Sequence, residues 1–82
     1  MTRLELRESI GDRPPRTVAV VSQREDGSIE ITGEPTTVDF LANYRVHDTP
    51  RDRWVSKDED PALWLELIPR HVESPFRRLV PA

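Results

Sequence analysis

Apolar positions along this chain recur with two periods, and the switches between them divide it into elements. Leu4 and Leu6 alternate with Arg3, Glu5 and Arg7, the period of two expected of a strand with one buried face. Gly11-Asp12-Arg13-Pro14-Pro15-Arg16 then joins a glycine, two prolines and three charges, and reads as a loop. Thr17 to Gln23 is the densest β-branched run and predicts the central strand, with Val18 and Val20 inward. Arg24-Glu25-Asp26-Gly27-Ser28 is a short polar connection in which Gly27 suits the left-handed conformation that follows a type I turn. Alternation resumes with Ile29 and Ile31, so the two strands form a hairpin.

After Gly33-Glu34-Pro35 the period lengthens. Thr36 or Thr37 is placed to cap a helix running to about Arg45, with Asp39 near its positive end. Val38, Leu41, Ala42 and Arg45 follow helical spacing, and Phe40 and Tyr44 form a second pair. His47 to Lys57 reads as a polar connection with one large anchor, Trp54. The most apolar run is Asp60 to Pro69. Asp60 caps it, Pro61 takes the first helical position, and Pro69 is expected to close it. Ser56 to Glu59 also resembles a capping box, but a Ser56 cap would leave Pro61 one residue beyond the donor-free turn. A short turn at residues 56 to 59 leading into an Asp60-capped helix reconciles both. Leu63, Trp64, Leu67 and Ile68 then share one face, and Trp64 is the natural centre of the core.

These elements predict a small α+β domain. A three-stranded antiparallel sheet at about residues 3–8, 17–23 and 28–33 carries two short helices, at about 36–45 and 60–68, packed on one face. The expected core is Leu4, Leu6, Val18, Val20, Ile29, Ile31, Val38, Leu41, Leu63, Trp64, Leu67 and Ile68. Residues 3–8 are expected at the sheet's edge, where their charges discourage open-edge pairing. Residues 77–82 are expected to fray, although Phe76, Leu79 and Val80 also suit a helical turn or an extended edge.

Eighty-two residues make a single domain with a thin core, since a chain this small buries only about 60% of its unfolded surface. The sequence has no cysteine, which excludes disulfides and thiolate metal sites and leaves the cytoplasm as the expected location. Its first residues alternate charge and apolarity, unlike a signal peptide or a membrane span. A net charge of -3 counts against nucleic-acid binding. Eleven of the 12 basic residues are arginine, a bias that GC-rich coding produces without function.

Little in the sequence carries catalytic chemistry. His47, Asp48, His71 and Glu73 could in principle provide a metal site, but their spacing matches neither the metalloprotease helix nor a calcium loop. Asp58-Glu59-Asp60 complements a helix start. No serine sits in a glycine elbow and no glycine loop cradles phosphate, so the expectation is a non-enzymatic protein without cofactor or metal. The best binding candidates are Trp54, Arg70, Phe76, Arg77 and Arg78, the aromatic and arginine types enriched at protein interfaces. They suggest an accessory or adaptor module that binds another protein or a second copy of itself. The alternative is a nucleic-acid-linked regulator using Arg70, Arg77 and Arg78.

The acidic turn, then Trp64-Leu65-Glu66-Leu67-Ile68-Pro69, then Ser74-Pro75-Phe76, resembles a C-terminal signature of short, uncharacterised proteins from GC-rich bacteria, Trp-Leu-x-x-Ile-Pro followed by Ser-Pro-Phe. Those proteins also begin with a predicted hairpin and helix. Pro61, inside the acidic approach, departs from their pattern. The resemblance implies no activity and no site residues.

Overall fold

The computed structural model describes residues 2–82 and has α+β architecture. Strands β1 (Arg3–Glu8), β2 (Arg16–Gln23) and β3 (Ile29–Gly33) form where the two-residue period predicts them. The β2–β3 turn closes with Gly27 at a φ of 90°. Its Asp26 carboxylate accepts from both the Ser28 N–H (2.9 Å) and the Ser28 hydroxyl (2.6 Å). The main sheet, however, has four antiparallel strands in the order β3-β2-β1-β6, not three. Residues expected to fray form β6 (Arg77–Pro81), which pairs with β1 from Leu4↔Pro81 to Glu8↔Arg77. β1 is therefore an interior strand and not the edge. Leu79, buried opposite Leu6, fixes β6 in place.

A bulge reassigns the faces of β2. The register with β1 slips between Leu6↔Ala19 and Arg7↔Thr17, so Val18 is the extra residue. A bulge inverts the alternation beyond it. Val18, Ala19 and Val21 are buried, whereas Val20, an expected core residue, turns to the opposite face and is half-buried. Gly33 lies opposite Ala19 with a φ of 137°; a Cβ there would stand 2.4 Å from the Val18 carbonyl oxygen. Only glycine permits that approach. The Glu34 N–H donates to the same carbonyl at 3.0 Å and turns the chain off the sheet.

Helix α1 (Pro35–Ala42) is shorter than expected and starts earlier. Pro35 nucleates it at the first position; Glu34 is the cap residue without a side-chain bond, neither threonine caps it, and Asp39 lies beyond the first turn. It stops before Arg45, with Tyr44 N–H donating to the Leu41 carbonyl (3.2 Å), which frees Tyr44 O to accept from Trp64 Nε1 at 2.9 Å. Within α1, Leu41 is fully buried and Val38 only partly.

The expected polar connection over His47–Lys57 is instead largely a small hairpin, β4 (Val46–Asp48) and β5 (Arg53–Val55), joined by a 3-10 turn. Val46 and Val55, directly paired, bury it against the core. Helix α2 (Pro61–Val72) begins as predicted: Asp60 accepts the Leu63 N–H at 3.3 Å, and the turn before it is closed by Ser56, which accepts the Glu59 N–H at 3.2 Å. It does not end at Pro69. Proline forfeits one intrahelical bond, here to the Leu65 carbonyl, but its φ is helical, and burial of Ile68 and Val72 outweighs the loss. The buried stripe is Trp64, Leu65, Ile68 and Val72; Leu63 and Leu67, expected inside, are partly buried beside it, as is Ile31 of β3. Trp64, with no exposed surface, is the largest side chain in the core. Among the described residues, no helix is long and apolar enough to cross a membrane.

Candidate functional site

The sheet's two faces differ sharply. Leu4, Leu6, Ala19, Val21, Ile29 and Leu79 form its covered side. Strand parity places Arg3, Glu5 and Arg7 of β1, Thr17 and Val20 of β2, Glu30 and Thr32 of β3, and Arg78 and Val80 of β6 on the other side, where each is exposed or half-buried and no helix among the described residues covers them. Across this open face Glu5 stands between Val20 and Val80. Its carboxylate accepts from Thr17 Oγ1 at 3.1 Å and meets Arg7 Nη2 at 3.7 Å.

Arg7 lies directly opposite Arg78, so two guanidinium side chains leave the same face from neighbouring positions. Like charges in that relation repel. Arg7 is offset by Glu5, whereas Arg78 has no ion-pair partner among the described residues. Beside them Phe76 is 63% exposed. A shallow depression of about 320 Å³ is lined by Arg7, Ser9, Pro15, Phe76, Arg78 and Val80, among others. Phe76 is held there from both sides: its N–H donates to Ser74 Oγ (3.2 Å) and its carbonyl accepts the Ser9 N–H (2.7 Å). An apolar ring with a fixed backbone and an uncompensated cation is suited to receive a ligand that offers an apolar group next to negative charge.

Of the five residues singled out in the sequence, Phe76 and Arg78 meet at this depression. Arg77 lines its rim, but its guanidinium turns to the covered side and lies 5.1 Å from the centre of the Phe40 ring, a cation–π contact. Phe40 packs edge-on against Tyr44 at 5.3 Å. Arg70 is exposed on the last turn of α2. Arg70, Arg77 and Arg78 therefore do not form one basic patch. Trp54, 59% exposed, lies on the separate β4–β5 hairpin, tilted against His47 at 4.9 Å. Arg7, Val80 and Pro15 were not singled out in the sequence. Once β6 is recognised as β1's partner, the alternation of Arg7 and Val80 places them here.

The hairpin holds the one buried charge among the described residues. Asp48 is 2% exposed and accepts from Arg51 Nη1 (3.0 Å) and Arg53 Nε (3.0 Å). The hydrogen bond from Arg53, then Arg51, holds its carboxyl below the ordinary 3.8 against the opposing effect of burial. Both of these bonds fall on Oδ2, and Arg51 Nη1 also reaches Oδ1 at 3.3 Å, so both oxygens have protein partners. His47 bonds Asp52 Oδ1 at 3.0 Å, and the His71 ring packs on Tyr44, so the histidines and Asp48 are engaged separately. Among the described residues, no three His, Asp or Glu side chains converge as a metal group. No family model, curated protein or solved structure matches the chain.

Proposed function

We propose that this chain is a small non-enzymatic protein-binding module and that its docking surface is the open sheet face around Phe76. The observation that carries the proposal is the exposed Phe76 ring beside Arg78, an arginine with no ion-pair partner among the described residues, on a face that no helix covers. Aromatic and arginine side chains dominate binding energy at protein interfaces, and a flat sheet face with apolar Val20 and Val80 around a central charge suits an extended segment better than a small substrate. The partner presents an apolar side chain, which covers Phe76, flanked by carboxylates that meet Arg78 and Arg7.

Selection of peptides from a random displayed library on the immobilised chain tests this. The enriched sequences are expected to pair an apolar residue with Asp or Glu, to lose binding to the Phe76→Ala variant, and to weaken with added salt. Enrichment that persists on Phe76→Ala, or that ignores both apolar and acidic residues, would contradict the assignment.

A further inference from the structure

The two edges of the main sheet are unequal. Alternate residues of an edge strand point their N–H and C=O groups away from the sheet, and the flanking ladder bonds reveal which. Ser9 N–H to Phe76 O and Ala82 N–H to Arg3 O show that even-numbered residues of β6 face β1, so Arg77, Leu79 and Pro81 face outward. That edge is already blocked. Arg77 exchanges both its backbone bonds with Ser74, at 3.3 and 3.0 Å, and Pro81 has no N–H.

At the other edge, Arg24 N–H to Ser28 O and Glu34 N–H to Val18 O show that even-numbered residues of β3 face β2. Ile29, Ile31 and Gly33 therefore present their backbone groups outward, and no protein group bonds them among the described residues. This edge has no proline, lysine or bulge, and its one charge, Glu30, is offset by Arg24 at 3.2 Å.

We infer that β3 is a self-association edge, and that a second copy of this chain adds its own β3 antiparallel to it about a two-fold axis at Ile31. The register follows from the pattern. Centring on Ile31 pairs Ile31 with Ile31 and Ile29 with Gly33, so every outward donor meets an outward acceptor. The same register sets Glu30 opposite Thr32 and avoids a Glu30–Glu30 clash, while the half-buried Ile31 gains its counterpart. The two sheets become one, with both open faces on the same side. The edge lies at the far side of the sheet from β6, so the Phe76 surface stays accessible in the pair. Five residues bury little area, so the association is weak and concentration-dependent.

Sedimentation equilibrium across a wide concentration range, with backbone amide exchange read at both ends, tests the inference. The chain is expected to form a dimer, with the amides of Ile29, Ile31 and Gly33 gaining protection as concentration rises. Thr32→Glu sets carboxylates against Glu30 twice across the axis and is expected to weaken the dimer by about tenfold or more. Adding Glu30→Arg to that variant is expected to restore it. Circular dichroism matching that of the parent chain establishes that each variant is folded. A chain that stays monomeric throughout, or a dimer unaffected by Thr32→Glu and without new protection in β3, would overturn the proposal.

Discussion

Trp64→Phe is the substitution whose cost follows most directly from the structure. Trp64 is fully buried, and its Nε1 donates to the Tyr44 carbonyl at 2.9 Å. Phenylalanine has no donor and leaves that carbonyl without its partner, a cost of about 1–3 kcal/mol. The lost ring volume adds roughly 1–2 kcal/mol, because the surroundings collapse only partly. The total is about 3 kcal/mol, against a stability on the order of 4–12 kcal/mol for a domain of this length, and corresponds to a fall in Tm on the order of 15 °C. Urea titration followed by far-ultraviolet circular dichroism measures it, since the substitution removes a fluorophore. Trp54 is then the only tryptophan, and its emission should be that of a water-exposed indole. A loss below about 1 kcal/mol with an unchanged urea slope would mean that neither the Nε1 bond nor the ring volume carries the stability assigned to it.

Gly33→Ala is expected to destabilise by about 2–5 kcal/mol in the same assay, because it combines a positive φ with a Cβ that would meet Val18 O at 2.4 Å; a neutral result would mean the backbone at β3's end is not so placed. Pro69→Ala restores an N–H for the Leu65 carbonyl and should stabilise by about 1–3 kcal/mol in denaturant titration, unless the ring's packing compensates, in which case stability is unchanged or lower and the account of α2 fails. Asp48 has a depressed folded pKa, so its contribution is present above its unfolded pKa near 3.8 and is lost as pH falls through the folded value. Thermal melts of Asp48→Asn should therefore show a lower Tm at neutral pH and a shallower decline below about pH 4 than the parent; parallel curves would contradict the assignment.

The strand periods and the Asp60–Pro61 start were legible because each is local. Four adjacent features were not. β6 depends on pairing with β1 some 70 residues earlier in the chain, and its run Arg77-Arg78-Leu79-Val80-Pro81 has no alternation strong enough to reveal it alone. The bulge at Val18 is a property of two strands, and a dense β-branched run hides it. Pro69 reads as a stop, since its local cost is clear while the burial of Val72 that outweighs it depends on the tertiary fold. The β4–β5 hairpin is disguised by its charges: Asp48, Arg51 and Arg53 look solvated until the paired burial of Val46 and Val55 draws Asp48 inward. For the site, residue types were legible and grouping was not. Phe76, Arg77 and Arg78 are neighbours in sequence, yet strand alternation sends Arg77 to Phe40 and leaves Phe76 and Arg78 with Arg7.

Backbone amide chemical shifts, recorded while a library-selected peptide is titrated into the labelled chain, report whether the Phe76 face is the docking surface. Saturable shifts are expected at Arg7, Ser9, Phe76, Arg78 and Val80, with Trp54 and the β4–β5 hairpin undisturbed. Shifts centred on Trp54 and the hairpin, with the Phe76 face silent, would contradict that assignment.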